Sequence, residues 1–364
     1  LPGLVVDGEG RWEPFGLTDV QHAYWVGRSG LFELGGVSTH LYVQFESDGF
    51  DVGRAQSALA RLVERHEMLR AVVRADGRQQ VLESVPDPVI GVEDLRGADA
   101  AVAAQRVEAV REELSHEVRP ADQWPLFEVR VQVLPGKVSR VHFSLDLLVA
   151  DAGSVQILLA EWALLYEDPQ LVLEPLGCSF RDYVRSVEAI EQSPAFARAR
   201  QFWQQRLEDL PAAPELPVGV AVAGRAPRFV RRQFVLDAGR WAVLKERAAV
   251  HGLTASAVLA AAYAEVLGAW AKSPRFTLNF TVADRLPLHP DVNRLVGDFT
   301  SVLLVEADVS GSDVFIDRAR ALQRQVWEGL EHRAYGGVRV LRDLAREHGA
   351  ERARMPVVFT SAIG

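Results

Sequence analysis

The sequence predicts an α+β protein with two lobes, and three observations carry this prediction. The chain has 364 residues, whereas a globular domain has about 100–200 residues. Segments with helical spacing and segments with strand-like alternation follow one another through both halves. Proline and glycine accumulate between residues 208 and 227, which is typical of a linker. We place the boundary slightly earlier, near Cys178, and predict lobes at 1–178 and 179–364 with a cleft or tunnel between them.

In the first half, helix signals and strand signals alternate from the start. Thr18 and Gln21 have the spacing of a capping box, in which each side chain satisfies a free backbone donor at the helix end. Further segments show apolar residues either at helical spacing or in alternation with polar ones. The predicted helices are one after Thr18 and those at 51–67, 101–116 and 154–166, and the predicted strands are 41–45, 69–73, 79–82, 127–133 and 141–145.

The second half shows the same succession of elements without repeating the sequence. Thr254 precedes an apolar stretch rich in small residues, and we predict that it caps a helix ending at Trp270. This stretch contains Glu265 and is shorter than the roughly 20 apolar residues of a membrane span, so a buried helix is the better interpretation. The predicted helices are 240–251, 254–270, 314–331 and 337–348, and the predicted strands are 229–236, 276–282, 301–306 and 356–361.

Composition excludes several classes of protein. With 48% hydrophobic and 24% charged residues, the chain is neither disordered nor collagen-like nor a coiled coil. Its 40 Lys and Arg against 49 Asp and Glu give a formal charge of −9, whereas nucleic-acid binding needs clustered cations. The single cysteine, Cys178, forms neither an intramolecular disulfide nor a cysteine-based zinc site. We therefore expect a cytoplasmic protein that binds no metal, no nucleic acid and no membrane.

The clearest local pattern is Asp146-x-x-x-x-Asp151-x-x-Ser154. Two residues five apart lie about 140° apart around a helix, so the two carboxylates do not share a helix face. We predict instead that a strand ends at Asp146, that an apolar loop follows, and that Asp151 and Ser154 begin the next helix. There their oxygens accept hydrogen bonds from free backbone donors. One aspartate then caps the helix, and an arginine pairs with one of the two.

Together with five other segments, this loop resembles the heterocyclization domains of non-ribosomal peptide synthetases, which are condensation-type domains. The six segments occur in the order of that family and cover essentially the whole chain, which makes the resemblance specific. They are 15–28, 65–70, the loop at 146–154, 254–270, 297–304 and 356–361.

The resemblance implies a V-shaped pair of lobes, each like chloramphenicol acetyltransferase, with a tunnel between them. An upstream donor carrier protein and a downstream acceptor carrier protein would reach the tunnel from opposite ends, and an adenylation domain would be their neighbour. The substrates would arrive on the phosphopantetheine of the carriers, so the domain would need no cofactor of its own. Its reaction would join the donor acyl group to Cys, Ser or Thr and cyclodehydrate the product to a thiazoline or an oxazoline.

The resemblance also suggests which residues act. Condensation relatives have two adjacent histidines where this chain has Asp146 and Leu147. Leu147 transfers no proton, so a histidine-based mechanism is excluded, and hydroxyl and carboxylate groups have to stabilise the oxyanion and help water leave. The foremost catalytic candidate is Thr300. The supporting candidates are Asp298, Asn279, Ser361 and Thr360, and the structural residues are Asp146, Asp151, Ser154 and Arg285, the last as the expected partner of one loop carboxylate.

The sequence departs from the family at three points. Asp284 stands where relatives have Asn, which adds a negative charge beside Arg285. Gly329 stands where the resemblance implies a catalytic carboxylate, so Glu331 or Glu328 has to replace it. The chain starts without Met and stops before the segment that completes the second lobe in relatives. We therefore expect a piece of a longer protein with an incomplete second lobe.

Three functions are compatible with these observations. The first is a heterocyclization enzyme. The second is a catalytically impaired domain of the same fold that serves as a docking platform for carrier proteins, which Gly329 favours. The third is a free-standing acyltransferase acting on a small alcohol or amine, which Leu147 disfavours because it removes the histidine base. Cys, Ser and Thr all stay open as the acceptor, and so does the donor acyl group.

Overall fold

The computed structural model describes residues 3–29, 35–219, 229–311 and 314–363. These residues form two compact units, each built from strands and helices. The first unit holds the chain up to Glu188, Phe229 and the segment Arg285–Phe299. The second unit holds the remaining described residues. The chain therefore leaves the second unit twice, at Phe229 and at Arg285–Phe299, and returns to it each time.

This division differs from the predicted boundary near Cys178. The residues just after Cys178 belong to the first unit because their apolar side chains are part of its core: Phe180, Tyr183 and Val184 are all buried there. The second unit is also not continuous in sequence, since Arg285–Phe299 packs with the first. Of the linker predicted at 208–227, the part from residue 220 onward lies outside the described residues.

The first unit contains every helix and strand predicted for the first half, together with two elements that were not predicted. Its strands are β1 (His40–Asp48), β2 (Ala71–Val73), β3 (Gln79–Val81), β4 (Gly91–Asp94), β5 (Phe127–Val133) and β6 (Val138–Asp146). Its helices are α1 (Asp19–Gly27), α2 (Val52–Arg65), α3 (Ala100–His116), α4 (Ala152–Glu167) and α5 (Phe180–Ile190), which begins in this unit.

The strands of the first unit form a four-stranded sheet in the order β1-β6-β5-β4 and a separate hairpin of β2 and β3. All pairs are antiparallel except β4 with β5. The unpredicted elements are β4, which is short and mostly exposed, and α5. The predicted capping box is present, with Gln21 N–H donating to Thr18 Oγ1 over 3.1 Å and Thr18 N–H to Gln21 Oε1 over 2.9 Å.

The second unit is a sheet covered by helices on both faces. Side chains alternate along β8, so that Leu303 and Val305 pack with α8 and α9 whereas Leu304 packs with α6 and α10. β7 pairs with β8 antiparallel and with β9 parallel. The elements are α6 (Pro194–Gln204), α7 (Ala238–Val250), α8 (Ala255–Trp270), β7 (Arg275–Ala283), β8 (Thr300–Asp308), α9 (Phe315–Glu331), α10 (Gly337–His348) and β9 (Val358–Thr360).

One predicted strand of the second half is wrong. Residues 229–236 have no regular structure, and the apolar side chains that suggested a strand are exposed, Phe229 by 66% and Phe234 by 84%. A strand needs a neighbouring strand for its backbone groups, and no described strand pairs with this segment. Helix α6 was not predicted. The other predicted helices and strands of this half are present.

Two further features concern membranes and metals. Among the described residues, no single helix is long and apolar enough to cross a membrane; α7 and α8 reach that length and composition only together, and they are bent by 96°. In the same part of the chain, no three His, Cys, Asp or Glu side chains are grouped so that they could hold a metal ion.

The sheet of the first unit contains a fully buried histidine, His142 on β6. Its Nδ1 lies 2.6 Å from the Tyr42 hydroxyl and its Nε2 lies 3.0 Å from Gln132 Oε1, so both ring nitrogens are used within the sheet. Burial, together with the charges of Arg140 and Arg130, lowers the pKa of His142 from 6.5 to about 4. The folded protein therefore keeps this ring neutral at physiological pH.

We predict that acid weakens the fold through His142. The unfolded chain takes up a proton on this ring near pH 6.5 and the folded chain only near pH 4, so stability is complete above pH 6.5 and falls as pH drops through this interval. The expected loss is about 1–3 kcal/mol. Urea unfolding at several pH values measures it. His142→Gln should remove this pH-dependent part, whereas His348→Gln, at an exposed histidine, should not. Identical pH profiles for all three proteins would contradict the prediction.

Candidate active site

The loop between β6 and α4 places Asp146 at the end of a strand and Asp151 at the start of a helix, as the sequence predicts. Each of these two residues is only 4% exposed. The chain between them contains the buried residues Leu148, Val149 and Ala150, and Leu148 N–H donates to Asp146 Oδ1 over 2.9 Å. The loop is therefore closed by its own groups and does not present the two carboxylates to solvent.

Asp146 is held by the arginine that caps the C-terminal end of helix α1. Arg28, which follows this helix directly, forms an ion pair with Asp146 Oδ2, and Ser38 Oγ donates to the same oxygen over 2.8 Å. Seven residues earlier, Gln21 Nε2 donates to the carbonyl oxygen of Leu148 over 2.6 Å. Because residues seven apart share a helix face, Gln21 and Arg28 together fasten α1 to the loop.

Asp151 acts both as a helix cap and as an ion-pair partner. Its Oδ1 accepts from the backbone N–H of Ser154 and lies 2.6 Å from the Ser154 hydroxyl. The same oxygen accepts from Arg285 Nη2 over 2.9 Å. The expected pairing of Arg285 with one loop carboxylate is therefore confirmed, and Asp151 is the partner. Asp151 Oδ2 is buried and has no hydrogen-bond partner within the described residues.

Arg285 is fixed by contacts on every side of its guanidinium group. Nη1 donates to the carbonyl oxygens of Val292 and Leu295 over 2.9 and 2.8 Å, and the guanidinium carbon lies 3.9 Å from the centre of the Phe299 ring. These contacts lie within Arg285–Phe299, the segment that leaves the second unit. Arg285 thus organises this segment internally and, through Asp151, attaches it to the start of α4.

Ser154 joins the same segment further along, at Gly297. The Ser154 hydroxyl accepts from Gly297 N–H over 3.1 Å and lies 2.8 Å from the Gly297 carbonyl oxygen. A Cβ atom on Gly297 would lie 2.2 Å from the Phe180 ring, so only glycine fits without displacing that ring. The next residue, Asp298, is completely buried. The structure therefore brings Asp151, Ser154 and Arg285 together, and Asp298 directly follows Gly297, which Ser154 binds.

Tyr24 on α1 lies between Gln21 and Arg28 and is influenced by the nearby carboxylates. Burial, followed by the negative charges of Asp298 and Asp151, raises the pKa of Tyr24 above its ordinary value. Its hydroxyl is therefore protonated at neutral pH and can act as a hydrogen-bond donor.

In the second unit, Thr300 and Asn279 lie at different points of the same strand pair. Thr300 begins β8 and pairs with Ala283, whereas Asn279 pairs with Leu304. Four residues along a strand correspond to about 13 Å, so Asn279 does not lie beside Thr300. Asn279 Nδ2 donates instead to the carbonyl oxygen of Met355, which secures the chain ahead of β9.

The two hydroxyl groups near the end of the chain each bind another hydroxyl. Thr360 Oγ1 accepts from Thr281 Oγ1 over 2.7 Å, within the paired strands β7 and β9. Ser361 Oγ lies 2.7 Å from Ser256 Oγ on helix α8. Their catalytic roles stay predictions.

The carboxylates proposed to replace the one missing at Gly329 lie in exposed positions. Glu331, the last residue of α9, is exposed, and Glu328 pairs with Arg206 over 3.3 Å at the surface. Gly329 itself is buried, and a Cβ atom there would lie 3.4 Å from the Leu303 side chain. The last turn of α9 therefore offers no buried carboxylate within the described residues.

Asp284, which was expected to add a negative charge beside Arg285, forms its ion pair with a different arginine. Asp284 Oδ1 pairs with Arg333 Nε over 3.0 Å, and Arg285 is bound to Asp151. No local pattern in the sequence indicated this partner, because Arg333 lies 49 residues after Asp284.

The single cysteine is not a nucleophile. Cys178 Sγ lies 3.4 Å from His289 Nδ1, which at first sight suggests an activated thiol. However, burial, followed by the charges of Asp291 and Asp182, raises the pKa of Cys178 to about 11. The thiol stays protonated at neutral pH, and nucleophilic catalysis by cysteine needs the thiolate.

Comparison with known proteins agrees with this fold. A family model described as "Condensation domain" matches residues 16–361. Pyochelin synthetase PchF of Pseudomonas aeruginosa is 40% identical, over 100% of this chain and 20% of that protein. Phenyloxazoline synthase MbtB of Mycobacterium tuberculosis is 41% identical, over 100% of this chain and 25% of that protein. The chain thus spans 20–25% of the length of these curated relatives.

A solved structure extends the comparison. The EpoB cyclization-docking bidomain from Sorangium cellulosum, a non-ribosomal peptide synthetase fragment, matches with a TM-score of 0.91 and 37% identity, over 100% of this chain and 73% of that chain. The chain therefore belongs to the condensation-domain family, and its α+β fold is the acetyltransferase-like fold of that family. Within the family it is a heterocyclization domain of the non-ribosomal peptide synthetases, as the resemblance implied.

We predict that Asp151→Ala lowers the free energy of unfolding by about 3–5 kcal/mol, because it removes a cap and leaves the Arg285 guanidinium buried without its anion. Urea unfolding measures the loss. The matched control is Asp99→Ala, at the exposed N-cap of α3, where only a cap is lost and the cost is about 1 kcal/mol. Equal losses of unfolding free energy in the two variants would show that the pair of Arg285 and Asp151 contributes nothing to stability.

Proposed function

We propose that this domain joins a carrier-bound acyl donor to a carrier-bound Cys, Ser or Thr and then removes water to form a thiazoline or oxazoline ring. The substrates would be thioesters on phosphopantetheine arms, which the donor and acceptor carrier proteins supply, with an adenylation domain as a neighbour in the parent protein. The cyclization function named for EpoB and the phenyloxazoline synthase activity named for MbtB support this choice of reaction.

The observation that carries the proposal is that both loop aspartates, Asp146 and Asp151, are bound to arginines. Each is buried and paired with an arginine, so both support the loop and neither is available as a general base. Leu147 between them transfers no proton. The nearest histidine in sequence, His142, is buried in the sheet with a pKa of about 4 and both ring nitrogens in use. Proton transfer therefore falls to hydroxyl and carboxylate groups elsewhere in the domain.

The proposed reaction has three steps whose atoms balance. The acceptor amine attacks the donor thioester, an amide forms and the donor carrier leaves as a thiol. The Cys, Ser or Thr side chain then attacks the amide carbonyl carbon, and the carbonyl oxygen takes up the proton of that side chain. Finally this oxygen leaves as water after a second proton reaches it, while the amide nitrogen loses its proton and forms the C=N bond. The last two steps need a hydrogen-bond donor to the oxyanion and a group that exchanges protons.

A docking platform for carrier proteins is the second candidate function. Gly329 favours it, since the last turn of α9 presents only exposed carboxylates among the described residues. A platform would bind loaded carriers without chemistry, whereas an enzyme would change the mass of its substrates.

One assay separates the two candidates. A donor carrier loaded with an acyl group and an acceptor carrier loaded with Cys are mixed with the domain, and the mass of the acceptor-bound product is followed. We expect acyl transfer followed by loss of one water. Absence of both acyl transfer and water loss, with carrier binding retained, would contradict the enzymatic proposal and support the platform.

We predict that Thr300→Ala slows ring formation by at least about 100-fold and leaves acyl transfer intact, because the hydroxyl that assists the departing oxygen is lost. The ratio of linear to cyclized product in the mass assay measures the effect. Thr300→Ser keeps the hydroxyl and should retain most of the activity. An unchanged rate of cyclization in Thr300→Ala would show that Thr300 has no catalytic role in ring formation.

A further inference from the structure

The proposed cyclization needs a group that exchanges protons, and the position of Thr300 limits where that group can be. Thr300 is the first residue of β8 and pairs in register with Ala283, the last residue of β7. Paired Cα atoms in an antiparallel sheet are about 4.5–5.5 Å apart. The residue that follows Ala283 therefore lies at the same end of the strand pair as Thr300. That residue is Asp284.

Asp284 is a largely buried carboxylate that forms an ion pair with Arg333. Its side chain is 20% exposed, and Oδ1 lies 3.0 Å from Arg333 Nε. Arg333 comes just after the end of α9, four residues beyond Gly329. Asp284, which directly follows β7, is therefore tied to the segment just after α9 through its pair with Arg333.

The environment of Asp284 suits proton exchange. Burial raises the pKa of Asp284 above the ordinary value of 3.8, and the charge of Arg333 opposes this rise only in part. A carboxyl group whose pKa lies closer to neutral is a better general acid and base at physiological pH than an exposed one.

Three other carboxylates of the second unit are less suitable. Glu328 and Glu331 are exposed. The buried Asp343 is held by the Tyr335 hydroxyl and also contacts Arg346 over 3.3 Å, on helix α10. Of the described carboxylates in this unit, Asp284 alone follows directly on the strand residue that pairs with Thr300.

We propose that Asp284 is the catalytic carboxylate of ring closure, an inference that rests on the proposed function. In the dehydration step it would take the proton from the amide nitrogen as the C=N bond forms and deliver a proton to the departing hydroxyl, which leaves as water. No other reactant is consumed, and Asp284 ends the cycle in its starting protonation state. Arg333 is a positioning residue that holds the carboxylate and tunes its proton affinity.

The test compares Asp284→Asn with the unaltered domain, using the donor-loaded and Cys-loaded carriers and product mass. The substitution keeps the size of the side chain and removes proton exchange, so acyl transfer should persist while cyclization slows by at least about 100-fold. The matched control is Asp308→Asn, at the opposite end of the same strand pair, which should cyclize at the normal rate. Glu331→Gln tests the rival carboxylate. Normal cyclization by Asp284→Asn, or loss of cyclization only in Glu331→Gln, would overturn the proposal.

A second variant keeps the test decisive if Asp284→Asn does not fold. Arg333→Gln removes the charge that lowers the pKa of Asp284, so the midpoint of the pH–rate profile for cyclization should move to higher pH; an unmoved midpoint would count against Asp284. The outcomes also separate the two proposals. If the unaltered domain forms neither amide nor ring, the proposed function fails. If it forms the ring and Asp284→Asn does so equally well, only the inference about Asp284 fails.

Discussion

The buried pair of Arg285 and Asp151 is the interaction on which the rest of the site depends. Burying two charges is costly, and their attraction offsets this cost only when the remaining donors and acceptors are also satisfied. Here the guanidinium donates to Asp151, to the Ser154 hydroxyl and to two carbonyl oxygens, and it lies over the Phe299 ring. The segment from Arg285 to Phe299 has few regular elements of its own, so this pair and Ser154 fix its course in the first unit.

This constraint explains why the loop aspartates support the site without carrying its chemistry. Asp146 and Asp151 lie on the two sides of a buried apolar turn, and each is matched with an arginine from a different part of the chain, Arg28 or Arg285. A carboxylate whose oxygens are buried and bound to an arginine supports the loop and does not reach a substrate. Reactive groups must then come from elsewhere. Thr300 pairs with Ala283, and the next residue is Asp284, so this end of the strand pair offers a hydroxyl group and a carboxylate with a raised pKa.

The sequence predicted the parts of this structure that have a local signal. The capping box at Thr18, the alternation of β5 and β6 and the cap at Asp151 are all encoded within a few residues, and each is present. Partners that are distant in sequence had no such signal: Arg28 lies 118 residues from Asp146. The strand predicted at 229–236 failed for the related reason that alternation alone does not provide a neighbouring strand. Family resemblance suggested Thr300 but not Asp284, which the family pattern does not contain.

Amide hydrogen exchange in Asp151→Asn tests the central role of the Arg285 pair most directly, because asparagine can still cap α4 but lacks the charge. If the pair fixes the segment, amides within residues 285–299 should exchange at least about tenfold faster than in the unaltered protein, while those of β5 and β6 keep their protection. Unchanged exchange in this segment, or a uniform increase through the whole first unit, would contradict the account.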